Sequence, residues 1–572
     1  MPNFYKDNQD IRFQFDRLDL AAVVAMMEDN FSDTEYSYAP KDYEDACENY
    51  ARVLEIVGDI AGNFVAPRAA EVDELGASFL NGKVTYAPGM QEALDRIAQA
   101  DLMGLTLPRK YGGLNCPTTI YLMAIEIISQ ADASLMNIFG LQDIAETIHK
   151  FGNAEQKQRY LPLFASGEVT GAMVLTEPDA GSDLQAVKLQ AYQDESGNWY
   201  LRGVKRFITN GNGHILLVLA RSEAGTKDGR GLSLYVCTAD DTVIVRRIEN
   251  KLGIHGSPTC ELQFNDTPAE LMGKRKFGLI KYVMDLMNGA RLGVSAQALG
   301  ISQAAYNEAL EYARAREQFG KPILHIPVVT NMLIDMRVQL ESNRSLLYAT
   351  AQWVDRRDKL DHYITLLKER GESFTDEQKQ LKEATRLSAL LTPLTKYVVT
   401  ESANRITYDS LQIHGGAGYM KEFRIERLAR DARITNIYEG TSQLQIVAAT
   451  GGVINDILAG FFKEQEQREF KGALSRLAGY LIQIREIFLK SRQFVIDRKD
   501  EQFQEVAARE LVEIYTFLYV GYLLLDEAEV NAHKVFIANR YIVSALGQTR
   551  RNAEAIHNEQ FSDLLHADEI LK

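Results

Sequence analysis

The sequence is short of the residues that mark most specialised sites. Its 572 residues include only four cysteines, Cys47, Cys116, Cys237 and Cys260. None stands in a CxxC pair and no Cys/His group has zinc spacing, so a zinc-ribbon or finger site is excluded. Scattered thiols of this kind fit a reducing compartment. The nine histidines contain no HExxH, which excludes that type of metalloprotease. Long apolar runs are missing as well: the best candidate, Ile514 to Leu525, falls short of the ~18–20 residues of a membrane span. Lys and Arg together number 63 against 78 Asp and Glu, for a net charge of −15. That balance argues against a broad nucleic-acid surface, which needs clustered cations, and leaves room for a local basic site for an anionic cofactor. No GxGxxG follows a strand-like run, so a Rossmann site is not supported. The opening, MPNFYKDNQDIRFQF, is neither a signal peptide nor an acid-poor transit peptide. The closing EILK matches no sorting signal. A soluble cytoplasmic protein is the expectation.

Against these absences, the length suggests about three or four domains, and the hydrophobic fraction of 46% is that of a folded globular chain. Residues 1–170 read as an N-terminal α-helical domain: YEDACENYARVLEIVGDIAGNFV and MQEALDRIAQADLMGL repeat apolar residues at three and four, and PRKYGGLNCP breaks the pattern as a Gly/Pro loop. From 171 to 275 the pattern changes. GNWYLRGVKRFITNG, HILLVLARS, GLSLYVCTA, TVIVRRIE and TCELQFND are short β-prone runs without helices between them, which predicts an antiparallel β domain. Residues 276–460 read as a C-terminal α-helical bundle. It opens on a long helix ending at Gly320 with Pro322 beyond, and it carries a polar excursion near 357–383 between helices. Residues 461–572 form an additional α-helical domain, with Leu474, Leu477, Leu481, Ile484 and Phe488 on one stripe. The fold class is therefore mainly α with a central β domain. The order helices, strands, helices excludes a doubly wound sheet.

Five segments carry candidate chemistry. In IYEGTSQLQ, Glu439 precedes Gly440 and a Thr441/Ser442 capping pair, and helix-start N–H groups can receive an anion. An acid near a helix start is favoured by the macrodipole without any ligand. In VLTEPDAGSD, Thr176, Gly181 and Ser182 allow close backbone approach to a polar ligand, or simply make a turn. In KRFITNG, Phe207 and Thr209 share a strand face that suits a flat heteroaromatic ring, although a core Phe is commoner. In AREQFGKP, Arg316 is either a phosphate clamp or a residue stabilised at a helix C-terminus. QIHGGAGY is a Gly-rich helix exit or a place of close backbone approach, and its His414 is more often a structural hydrogen-bonder than an acid or base.

As an ordered set, TEPDAGSD, KRFITNG, AREQFGKP, QIHGGAGY and IYEGTSQLQ closely resemble the acyl-CoA dehydrogenase family over roughly residues 40 to 460. The additional helices resemble the family's long subgroup. The resemblance implies FAD as cofactor, an acyl-CoA substrate and an electron-transfer flavoprotein as acceptor. It assigns the catalytic base to Glu439; the place of the family's alternative base is Ala290. Met173, Leu175, Thr176, Gly181 and Ser182 match the loop facing the isoalloxazine, with Met173 replacing a common aromatic, and Phe207 and Thr209 match the strand beside it. Arg316, Gln318 and Phe319 match residues that hold the pyrophosphate and adenine across a subunit boundary. Gln412, Gly416, Thr441 and Gln443 match further dinucleotide contacts. Ser182, Arg291 and Gly440 are implied on the substrate side. No metal is implied. Tail helices can cover the surface where a second dimer would bind, so a homodimer is expected.

The implied reaction is α,β-dehydrogenation to a trans-2-enoyl-CoA, of the fatty-acid β-oxidation type. Glu439 removes the α-proton, FAD N5 takes the β-hydride, and the Glu439 N–H with a ribityl hydroxyl stabilises the thioester oxygen. Expelling water raises the carboxylate pKa toward working pH. The rivals are an acyl-CoA oxidase using O2, a non-catalytic nucleic-acid-binding flavoprotein relative, which the −15 charge opposes, and a ligand-free helical scaffold.

Overall fold

A computed structural model describes residues 2–558 and 562–572. The chain packs as two compact units, Met1–Glu308 with Ser410–Glu439, and Ala309–Asp409 with Gly440–Lys572.

In the first unit several helices start at side-chain caps. Asp42 accepts from the Asp45 N–H to begin Tyr43–Asp59, and Asn153 with Gln156 forms a reciprocal capping box for Ala154–Ser166. Helix Thr118–Ala131 is buried along nearly its whole length, which is why it shows no amphipathic repeat. Within the N-terminal region a small hairpin, β1 (Ser78–Leu80) with β2 (Lys83–Thr85), interrupts the helices. Three residues per strand are too few for a periodic signal to reveal it.

The sheet comprises β3 (Gly171–Val174), β4 (Gln190–Gln193), β5 (Trp199–Thr209), β6 (Ile215–Arg221), β7 (Leu232–Thr238), β8 (Val243–Ile248) and β9 (Thr259–Met272). Pairings run β6–β7–β9–β5–β4 and return to β6, closing a ring, with β3 beside β6 and β8 on β9. Most pairs are antiparallel as expected, but β3 and β4 lie parallel to β6. The run HILLVLA is continuous because β6 is buried on both faces. Leu217 and Leu219 join a core with Ile144, Phe164 and Val236, while Leu216 and Val218 join another with Leu201, Tyr235 and Phe264.

In the second unit, the helix expected to end at Gly320 stops at Ala315. A two-residue hairpin follows, β10 (Glu317–Gln318) with β11 (Lys321–Pro322), in which Phe319 and Gly320 both take positive φ. The polar stretch 357–383 is itself largely helical. Pro327–Arg370 runs through it to an αL cap at Gly371, and Thr375–His414 resumes at once. Its charged residues sit on helices with good intrinsic propensity, so polarity there marks exposure rather than a loop. The Leu477, Leu481, Ile484 and Phe488 stripe is fully buried, in one core with Leu346, Leu391, Leu394 and Val453. Among the described residues no single helix is long and apolar enough to cross a membrane; one pair, Ser442–Ile454 and Ala459–Glu466, passes on length and composition but is bent by 64°.

Candidate active site

Glu439 lies just beyond helix Ile425–Thr435, whose end is tightened by Ile437 and Tyr438 N–H bonds to the Ile434 carbonyl. Tyr438 is pinned: its hydroxyl donates to Gln297 Oε1 and lies 3.3 Å from Asn137 Oδ1, while Gln297 Nε2 donates to the same Asn137 oxygen at 2.8 Å. Burial pushes the Tyr438 phenol far above its usual range, with the Glu439 charge acting the same way. Glu439 itself is half-buried and takes φ +54°, and Gly440 follows at +91°. Left-handed backbone at a non-glycine residue costs about 1–3 kcal/mol and is found where the surroundings enforce it.

Two groups in the first unit act on Glu439 electrostatically. Arg291 donates from Nη1 to Asn288 Oδ1 at 2.9 Å, and its buried Nε has no acceptor among the described residues. Burial lowers its pKa and Glu439 opposes that shift. An orphaned guanidinium donor beside a carboxylate fits a polar or anionic ligand atom. The second group, Asp143, stands in no motif of the sequence. Its carboxyl is held well above the usual range by burial first, then by Glu146, with Glu439 and Asp285 adding to it. Its Oδ2 faces the backbone of Gly289, where a Cβ would come within 3.4 Å. Sequence spacing offered no signal for it, because Asp143 is 296 positions from Glu439 (439 − 143).

The loop residues matched to a flavin ring are largely open. Gly181 and Ser182 are exposed, and a Cβ on Gly181 would meet nothing within 4 Å. Thr176 and Met173 are half-buried. Leu175 departs from expectation: its side chain is buried in the core, leaving only its backbone for a ligand. A register shift between Lys205 and Ile208 makes a bulge in β5. At this bulge Phe207 takes φ +60° and stands 53% exposed. Half-buried Thr209 lies on the far side of buried Ile208. A strained aromatic held out on the strand that also carries Thr209 fits a planar polar ring. Gln412 and Gly416 are exposed, and a Cβ on Gly416 would also find open space. His414 is buried and its Nδ1 contacts the Ser410 carbonyl at 2.8 Å, a structural bond.

The second unit carries the remaining candidates. Arg316 and Gln318 are exposed around the β10–β11 hairpin, and Phe319 is 92% exposed. Thr441 is the N-cap of Ser442–Ile454, Ser442 donates to Glu401, and Gln443 faces outward. The Gly440 carbonyl accepts from Lys396 Nζ at 2.7 Å and Gln445 Nε2 at 3.0 Å. Lys396, fully buried, was not legible as a site residue; nothing in its helical context distinguishes it.

This combination of a helical region, a β region and a helical bundle matches the acyl-CoA dehydrogenase N-terminal domain over residues 48–168, the middle domain over 172–267 and the C-terminal domain over 280–450. The chain belongs to the acyl-CoA dehydrogenase family. It is 34% identical over 397 residues to an acyl-CoA dehydrogenase of Bacillus subtilis, covering 68% of this chain and 94% of that one. Among solved structures, one of the electron transferring flavoprotein of Acidaminococcus fermentans aligns with TM-score 0.60 at 30% identity, covering 70% of this chain and 97% of that chain. An acyl-CoA dehydrogenase complexed with FAD from Bacillus anthracis aligns over 89% of this chain and 88% of its own with TM-score 0.75, at 23% identity, a likeness of fold. The protein is thus an FAD-dependent oxidoreductase acting on a CH–CH bond.

Proposed function

We propose that this chain removes the α-proton and β-hydride of an acyl-CoA thioester, giving a trans-2-enoyl-CoA, with Glu439 as the base. The observation that carries the reading is Glu439 held half-buried in a left-handed conformation, in the field of an arginine with a buried, unaccepted Nε. FAD, when bound, supplies the hydride acceptor that no side chain can provide. Glu439 takes the proton; Arg291 and the Glu439 and Gly440 backbone bind and orient the thioester; Ser182 lies on the substrate side. Met173, Leu175 through its backbone, Thr176, Gly181, Ser182, Phe207 and Thr209 would hold the flavin ring. Gln412, Gly416, Arg316, Gln318, Phe319, Thr441 and Gln443 would hold the dinucleotide.

The reading extends to fatty-acid β-oxidation in the cytoplasm. It extends to an electron-transfer flavoprotein as acceptor, supported by the likeness to the solved structure from Acidaminococcus fermentans. It extends also to a homodimer. Apolar area at Phe319, Val328, Tyr408 and Val447 stands exposed, and pairing would cover it. The division into 1–170, 171–275, 276–460 and 461–572 belongs to the same proposal.

Anaerobic titration with acyl-CoAs of increasing length, followed by flavin bleaching, tests the reaction and reports chain preference. Glu439→Gln retains bound FAD and bleaches about 10²–10⁴-fold more slowly. Undiminished bleaching in that variant removes Glu439 from the role.

A further inference from the structure

Lys205 carries a charged group to a position with no exposure at all. Its Nζ has two partners, both on the loop that follows β3. It donates to the Leu175 carbonyl at 2.7 Å and pairs with Glu177 Oε1 at 3.0 Å. Glu177 is also nearly buried, and its two oxygens accept the Lys188 N–H at 2.8 Å and the Leu189 N–H at 2.9 Å. The pair is therefore fully seated by backbone as well as by mutual attraction. Burial nevertheless pulls the Lys205 pKa down to about 8, against the opposing effect of Glu177. An apolar side chain of similar volume would fill such a position at no electrostatic cost, so packing alone does not account for a lysine there.

The carbonyl that Lys205 takes is informative. Leu175 C=O and Thr176 N–H are two ends of one peptide group. The next carbonyl, that of Thr176, accepts the Arg206 N–H at 2.9 Å, so both carbonyls flanking Thr176 are tied to β5. No group among the described residues accepts the Thr176 N–H. A hydrogen bond at the oxygen end of a peptide polarises it and strengthens the N–H at the other end, and a charged donor does so more than a neutral one. The same lysine opens the bulge that puts Phe207 outside.

We infer that Lys205 is a positioning residue of the flavin site: its ammonium, seated on Glu177, grips the Leu175 carbonyl and makes the Thr176 N–H a fixed, strengthened donor to the polar edge of the flavin ring. The inference rests on the placement of Thr176 and Phe207 against the flavin. A strengthened donor favours the form of the ring that carries more negative charge, so Lys205 raises both FAD affinity and reduction potential.

The test compares full-length wild type, Lys205→Met, the doubly neutral Lys205→Met/Glu177→Gln, and Phe207→Ala. The readouts are FAD dissociation from apo-protein by flavin fluorescence, the visible flavin spectrum, and the reduction equilibrium against a reference dye. Both lysine variants bind FAD about tenfold more weakly and shift the reduction equilibrium about tenfold toward the oxidised form, with an altered spectrum. A role in stability alone moves the melting temperature and leaves potential and spectrum unchanged; that result in the doubly neutral variant overturns the inference. The double variant buries no unpaired charge and carries the test should Lys205→Met fail to fold. Phe207→Ala separates the two levels. Weaker FAD binding there with unchanged lysine variants overturns the inference and leaves the site standing. No change in any variant removes the flavin from this loop, and both fall.

Discussion

At the scale of single residues, the candidate site is marked by groups held in unfavourable states. Glu439 and Phe207 take positive φ, and neither is a residue that enters that region without constraint. Asp143 is another such group. Its carboxyl holds its proton to higher pH in the folded chain than a free Asp, because burial and then Glu146 disfavour the charge. Lys150 opposes this, and Lys150 itself is engaged by Glu146 and Asp285, each at 3.2 Å. Folding therefore takes up a proton at Asp143, and stability falls as pH rises from about 4, the unfolded value, toward the folded pKa. Asp143→Asn abolishes that fall. Denaturation midpoints of the variant gain on wild type as pH rises above about 4 and level off relative to it below. Curves that stay parallel from pH 4 to 8 would show that Asp143 is charged in both states.

At the scale of elements, the long helices are locked by buried charge as well as by apolar packing. Lys534, in helix Ala532–His557, is nearly inaccessible and lies between Glu341 Oε2 at 2.8 Å and Glu527 Oε2 at 2.9 Å. Those carboxylates come from Pro327–Arg370 and Ala508–Val530, so one ammonium ties three helices. Glu341 also has Arg337 and His533 beside it, and Glu527 accepts from Ser345. Lys534→Met takes one ammonium away from two buried carboxylates and costs about 3–5 kcal/mol, read as a lower midpoint for unfolding of the second unit in urea. A loss within experimental error would mean that the buried ammonium adds no net stability over an apolar side chain of similar length.

At the scale of the whole molecule, the added helices are part of a shared core. Leu346, Leu391, Leu394 and Val453 belong to the same apolar cluster as Leu477, Phe488, Tyr515 and Ile542. Packing is close enough that a Cβ on Gly521 would meet Leu481 Cδ2 at 2.5 Å. Truncation after Gly460 uncovers bundle residues of that cluster and produces an aggregating chain, measured as soluble fraction and light scattering; a soluble, monodisperse 1–460 fragment would show that the bundle closes on itself.

Much of the architecture was legible because it rests on local periodicity and local chemistry. The helices around Tyr43–Asp59 and Pro88–Gln99, the strands from Trp199 to Met272 and the Leu477–Phe488 stripe all follow from side-chain spacing, and five short motifs in order identify the family. The misread points are those where local signals were weak or ambiguous: the three-residue hairpin at Ser78–Thr85, the helices continuing through polar 357–370, and the parallel placement of β3 and β4 beside β6. Within the candidate site, Glu439 and Phe207 stood inside quoted motifs, and Arg291 was named by the family resemblance. Lys205 and Glu177 stood inside quoted motifs without showing that they pair, and Asp143 and Lys396 stood in none, because burial and the contacts made in the fold set the state of each. Burial and electrostatic coupling are properties of three-dimensional neighbourhood. Sequence alone determined which elements and which reactive groups the chain has; only the tertiary structure decided which charges are stripped of water, which backbone is forced left-handed, and which peptide N–H is left for a ligand.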